Sequence, residues 1–411
     1  LQVFLSLFLL AVMTGLLAYD MFYKSAIATG FYPYVFASVI LIHLRLSFRW
    51  SDVGGISFFG ILFVLLDMFV LHPSHTVYLL GWVSFLGMAS IVVMGLRAIW
   101  SQGEQRRLIL LALIPGVLIL ASNYFAGYLH LWTEKNHPKV LDAYLYSFDS
   151  SLHVPIAFLV GQAFAKWGML RSVSMVFYVG LPFTLAVVYA GQAARLGSKA
   201  IAILAAFLIA GPVGGVFYNL FPALGPLHLF GEAFPWHPLP TELARGLFLE
   251  PVPIQGIRNA IPSLHMGWTL AAWWYSRGLS RYERCIAAAF MAFTVLATLG
   301  SGEHYFIDLI VAFPFMLFVQ ALCTVSLDWR DSRRLAPFLF GLLATLGWLV
   351  LLRYGVGIYW YSPLIPWAGC LGTLGLTEVA RQGLKDAAVG NLARDRSMPS
   401  TMAGAAPEAA R

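Results

Sequence analysis

The sequence predicts an all-α protein, a polytopic transmembrane bundle of about twelve spanning helices. Three observations predict it. The 411 residues are 60% hydrophobic and 11% charged, against roughly 25% charged residues in an ordinary soluble domain. Apolar runs of about 18 to 22 residues recur, each long enough to cross a hydrocarbon core of about 30 Å as a helix. Lys and Arg gather in the short connections between these runs, where they set topology. The net charge of +7 is therefore no nucleic-acid footprint, and the short alternating strands of a membrane β-barrel do not occur.

Taken in order, the expected spans are 1–19, 27–46, 54–71, 76–96, 107–126, 171–192, 199–218, 263–279, 284–302, 304–326, 335–354 and 357–376. The run from Leu1 to Tyr19 has no small-residue cleavage site before Asp20 and reads as a spanning helix. Segments 127–169 and 219–262 are too polar to cross. Within the first, residues 153–167 form a stretch too short to span, suited to lie in the interface as an amphipathic helix.

Orientation follows from the positive-inside rule. Arg45 and Arg49, then Arg97, Arg106 and Arg107, then Arg195 and Lys199, then Arg277, Arg281 and Arg284, then Arg330, Arg333 and Arg334 all fall on one side. That side is cytoplasmic, as in a bacterial inner membrane, and both long polar segments face away from it. Lys24 and Arg353 are exceptions near outer helix ends, where a long side chain reaches the headgroups. The tail from Gly383, rich in Ala, Pro and Ser, is expected to be disordered on the cytoplasmic side.

Several residues invite a functional reading and receive a plainer one. Cys285, Cys323 and Cys370 lie in or beside apolar runs with no C-x-x-C spacing, so they read as packing residues. His72 and His75 flank Pro73 in an outer turn and read as interfacial. Asp67, inside an apolar run, requires a partner or a place near the boundary. Glu134, Lys135, Lys139, Asp142 and Asp149 fit a solvated outer segment as well as a headgroup site. Consecutive Tyr359, Trp360 and Tyr361 fit an aromatic belt.

Two short segments carry chemistry: Arg258-Asn259-Ala260-Ile261-Pro262-Ser263-Leu264-His265 and Gly300-Ser301-Gly302-Glu303-His304-Tyr305-Phe306-Ile307-Asp308. At about 20 residues per crossing, two antiparallel spans bring both imidazoles to one membrane face. His304 and Asp308 stand four apart at a helix start, so they share a helix face and the carboxylate can orient the imidazole. Pro262 suits the first turn of the following helix, and Ser263 stands where unpaired amides and a positive dipole end attract phosphate. Arg258 offers a bidentate contact to phosphate oxygens.

Pro262-Ser263-Leu264-His265 and His304-Tyr305-Phe306-Ile307-Asp308 resemble the second and third motifs of the type 2 phosphatidic acid phosphatase superfamily. The stretches Tyr218 to Pro226, Leu141-Asp142 and Phe148-Asp149 are similar to its inositol phosphorylceramide synthase-like branch. The resemblance covers roughly 107–326, six spanning helices. It implies that His304 attacks phosphorus to form a phosphohistidine, with Asp308 orienting it. It also implies that His265 serves as general acid and then general base, that Ser263 and nearby amides hold phosphate, and that no metal or other cofactor takes part.

Two departures matter. The superfamily's first motif, a Lys followed by Arg-Pro, is missing, and Thr298 stands where the third motif has an Arg. Arg258 is then the phosphate contact to expect, with His228, His237 and Arg245 behind it. Loss of those basic residues fits the synthase-like branch better than the simple phosphatases and favours transfer to an alcohol.

The expected organisation is 1–106 as accessory helices, 107–326 as catalytic core, 327–382 as further accessory helices and 383–411 as the tail. The partners implied are a lipid phosphate or phospholipid, a polyol acceptor and membrane lipids, but no nucleic acid. A metal site built on His304 and Asp308 lacks a third and fourth ligand and any H-E-x-x-H pattern. A lipid or ion transporter is the reading from another class. It requires ionisable residues that continue through the bilayer, whereas this cluster stays at one face.

Overall fold

A computed structural model describes residues 32–71, 79–247 and 249–397 of the chain. The expected span 1–19 and the pair His72 and His75 lie outside the described residues. The helices run α1 (Tyr32–Leu46), α2 (Asp52–Leu66, continued by a π-helical turn that buries Asp67), α3 (Leu79–Trp100) and α4 (Gly103–Asn136). After the strand β1 (Lys139–Val140) come α5 (Asp142–Ser151), α6 (Ile156–Lys166), α7 (Gly168–Val179), α8 (Leu181–Leu196), α9 (Ile201–Leu220), α10 (Pro226–Phe230) and α11 (Thr241–Arg245). The strand β2 (Val252–Pro253) precedes α12 (Leu264–Tyr275), α13 (Arg281–Gly300), α14 (Phe306–Cys323), α15 (Ser332–Tyr354) and α16 (Leu364–Ser397).

Among the described residues, seven helices are long and apolar enough to cross a membrane, and eight if α7 and α8, bent by 52°, form one span. The expectation of about twelve is reduced accordingly. The stretch expected to span 263–279 is a helix of 12 residues, about 18 Å long at 1.5 Å per residue and short of the hydrocarbon core. Within the stretch 27–46, the described residues 32–46 form α1. The last expected span gives way to a turn at Val356–Trp360 and to α16, which carries the Glu378–Arg381 ion pair. By contrast α4 outruns its apolar stretch with 34 residues, about 50 Å. Nothing after Leu129 breaks it until Pro138, which disfavours helix in the residue before it.

Helix α14 is the axis of the bundle: 83% of its most apolar window is buried, against 17% for the peripheral α2. It packs against α15, α16, α12 and α9, and one hydrophobic cluster gathers around it. A second cluster joins α1, α3, α4, α8 and α9.

A few helix ends are closed by side chains, which satisfy amides and carbonyls left unpaired there. Ser280 and Glu283 form a reciprocal capping box on α13, and Arg45 pairs with Glu283 at 2.9 Å. Arg334 is buried and donates to the carbonyls of Ala321, Leu322 and Leu327, which closes α14. The 20 residues of α13 separate the Arg45–Glu283 end from the His304 end by about 30 Å. At the His304 end, the two polar segments lie together: β1 pairs antiparallel with β2, matching Lys139 with Pro253 and Val140 with Val252.

Candidate active site

Ser263 is the N-cap of α12, and its hydroxyl accepts the Met266 amide at 3.4 Å. Pro262 therefore precedes the cap and does not enter the first turn. His304 sits in the tight connection from α13 to α14, held by its own amide on the Thr298 carbonyl at 3.2 Å. Backbone joins the two segments as well, since the Ser263 amide donates to the Asp308 carbonyl at 3.1 Å.

The His304 ring is 1% exposed. Its Nδ1 lies 2.9 Å from the Ala260 carbonyl oxygen and 3.4 Å from Asp308 Oδ2. A carbonyl only accepts, so in the neutral ring the proton belongs on Nδ1 and the lone pair on Nε2. Nε2 faces the Ser263 hydroxyl at 3.3 Å. Asp308 is fully buried; its Oδ2 accepts the Tyr305 amide at 2.8 Å, while Oδ1 has no partner among the described residues.

His265 is partly exposed. Its ring stacks on Tyr178 of α7 at 4.0 Å between centroids and 19° between planes, and meets Trp268 edge-on at 5.7 Å. The His304 imidazole is close enough to act electrostatically on His265. Tyr218 lies beneath the same segment and donates to the Pro262 carbonyl at 3.3 Å. The structure thus brings His265, Ser263, His304 and Asp308 to one end of α12 and α14.

Arg258 is arranged differently from the expected phosphate contact. It is 2% exposed, and its guanidinium donates to the carbonyls of His137 at 2.9 Å, Ile254 at 2.7 Å and Gly256. It also pairs with Glu134 at 3.3 Å. These bonds tie the end of α4 to the loop before α12. Of the other basic candidates, His228 stands 4.0 Å from Glu303, and His237 and Arg245 are at the surface. The Thr298 hydroxyl turns back onto the carbonyls of Thr294 and Val295.

Two carboxylates that read as equally suited to a solvated segment are buried and structural. Asp142 receives the amides of Leu224 and Gly225, the latter at 2.8 Å, and the Tyr305 hydroxyl at 3.3 Å. Gly225 has φ of +143°, and a Cβ there would stand 2.5 Å from the Glu303 carbonyl oxygen, so the approach to the His304 connection requires glycine. Asp149 caps α14 from outside, accepting Phe306 N–H at 2.7 Å and Ile307 N–H at 3.1 Å. Burial pushes the Asp142 carboxyl up to about 7 against the pull of the Gly225 and Leu224 amides, and the Asp149 carboxyl up to about 8 against that of Phe306. Lys135 and Lys139 are exposed, as a solvated segment requires.

A buried imidazole with a fixed tautomer, a second imidazole beside it and a capping hydroxyl at a helix start are an arrangement suited to nucleophilic chemistry. Residues 143–322 match the family model described as PAP2 superfamily, so a PAP2-superfamily domain makes up somewhat under half of the chain. No group of three or more His, Cys, Asp or Glu that could hold a metal ion occurs among the described residues. The matched domain supports a phosphatase or phosphotransferase activity in a chain that carries several membrane-spanning helices. No curated protein and no solved structure matches the chain.

Proposed function

We propose that this protein moves a phosphoryl group, or a phosphorylated headgroup, from a lipid donor to an alcohol or to water through a phosphohistidine on His304. The observation that carries the reading is the Ala260 carbonyl on His304 Nδ1, which leaves the Nε2 lone pair free to attack. In the first half, Nε2 forms a bond to phosphorus, the bond from phosphorus to the leaving oxygen breaks, and protonated His265 gives that oxygen a proton. In the second half, neutral His265 takes a proton from the acceptor hydroxyl, whose oxygen displaces Nε2 from phosphorus.

Ser263 changes partner in this scheme. At rest its hydroxyl faces Nε2; with phosphate present it turns to a phosphoryl oxygen, joined by the first amides of α12. Asp308 steadies the ring through Nδ1 and stabilises the imidazolium character that grows as Nε2 bonds to phosphorus.

The basic connections described above support a site on the non-cytoplasmic face, reached sideways by a lipid. The missing Lys and Arg-Pro of the first motif, and Thr298 in place of an Arg, support the inositol phosphorylceramide synthase-like branch and hence an alcohol acceptor.

The test is turnover. Purified protein is incubated with labelled glycerophospholipid, polyprenyl phosphate and polyprenyl diphosphate donors, each with and without inositol. Turnover by wild type and none by His304→Ala is the expected outcome. Retained turnover in the mutant removes His304 from the nucleophile's role, and transport without turnover in either protein favours a transporter.

A further inference from the structure

Helix α4 carries a third histidine to this end of the bundle, outside the 143–322 match. The ring of His130 lies at 30° to that of Tyr218, with centroids 6.2 Å apart. Tyr218 in turn holds the Pro262 carbonyl, next to Ser263. His304 and His130 are the ionisable groups whose charges act on His265. The Nδ1 atom of His130 is buried and has no hydrogen-bond partner among the described residues. Buried polar atoms are almost always paired, so an orphan beside a reaction centre points to a ligand atom.

The chemistry of the site calls for such a group. An anionic phosphate needs donors, and Arg258, the side chain that the sequence offers first for it, is occupied by carbonyls and Glu134, while His237 and Arg245 lie at the surface. Ser263 supplies one hydroxyl. An imidazole N–H adds a second donor, strengthened when its acceptor is charged.

We propose that His130 is a phosphoryl-binding residue, its Nδ1–H donating to a non-bridging oxygen of the lipid phosphate while His304 attacks phosphorus. This role rests on the phosphohistidine reading of the site. It also gives α4 a function, since the helix extends beyond its apolar stretch and so carries His130 against Tyr218.

Two substitutions separate binding from packing. His130→Phe keeps a ring against Tyr218 and removes both nitrogens. His130→Asn discards the ring but places a polar amide atom near the position of Nδ1. Full-length variants are assayed with whichever labelled donor wild type turns over, and with inorganic phosphate as competitor. His130→Phe is expected to unfold at the wild-type temperature and to raise both KM and the phosphate inhibition constant roughly 10- to 100-fold, the range for a hydrogen bond to a charged group. His130→Asn is expected to recover most of the loss.

Wild-type KM and inhibition constant in His130→Phe overturn the proposal. Equal impairment of the two variants with a lowered unfolding temperature also overturns it, because that marks a packing role. In either case an active wild type with an inactive His304→Ala leaves the reading of the site standing. Turnover retained by His304→Ala rejects that reading and the role of His130 together.

Discussion

The Nδ1 atom of His304 is closer to the Ala260 carbonyl oxygen, at 2.9 Å, than to the Asp308 carboxylate, at 3.4 Å. Backbone, more than the carboxylate, therefore sets which nitrogen can react. The phosphoenzyme should carry phosphorus on Nε2. Rapid denaturation in alkali after mixing with a phosphorus-labelled donor, followed by digestion and phosphorus NMR of the His304 peptide, distinguishes the two isomers. Signal from the Nδ1 isomer would refute the tautomer assigned here.

Ser263 has two tasks, capping α12 and facing Nε2. Ser263→Ala should cost about 1 kcal/mol of stability through the lost cap and lower kcat roughly tenfold or more through the lost phosphoryl contact. Ser263→Thr keeps the hydroxyl and should keep most of both. Thermal unfolding and steady-state kinetics measured together check the pair; an Ala variant with wild-type kcat would leave Ser263 as a cap alone.

The grouping of His265, Ser263, His304 and Asp308 was legible because they sit in two contiguous motifs, which two successive antiparallel helices bring to one end even though the first has only 12 residues. The Ala260 contact was not legible, since an alanine in sequence says nothing about where its carbonyl points. His130, Tyr178 and Tyr218 lie far upstream on three different helices, and their convergence is a property of packing. Asp142 and Asp149 read as solvated because a polar segment hides which of its charges turn inward; their partners, the amides at Gly225 and Phe306, are also silent in sequence. Among the described residues, hydropathy located most membrane helices but counted more spans than the helices there provide. It registers apolar runs and not lengths, so the short α12 counted as a span and the polar end of α4 was cut off.

Arg258 shows how residue type and geometry can diverge. Beside a phosphate motif, its charge reads as a ligand contact, yet its guanidinium joins the His137, Ile254 and Gly256 carbonyls to Glu134. Arg258→Ala should lower stability by about 2–3 kcal/mol, the worth of strong charge-assisted bonds, and Glu134→Gln should lower it by less. In both variants the protein that remains folded should bind donor with the wild-type KM. A KM raised by Arg258→Ala at unchanged unfolding temperature would instead return the residue to the phosphate.

The two raised carboxyls make the His304 end of the bundle sensitive to rising pH. A carboxyl whose folded value exceeds its unfolded one, near 3.8, favours folding through its protonated form. That contribution is complete below the unfolded value and is lost as pH rises through about 7 for Asp142 and about 8 for Asp149. The unfolding temperature should therefore fall between about pH 4 and pH 8, with the Asp142 contribution exhausted near pH 7 and that of Asp149 near pH 8. Asp149→Asn removes the ionisation but keeps only one accepting oxygen for two amides. It should be less stable than wild type at pH 5 and show a shallower decline toward pH 8, so the two curves converge. Hydrogen exchange at the Phe306 and Ile307 amides reports the same change locally, and a decline as steep in Asp149→Asn as in wild type would assign the loss to other groups.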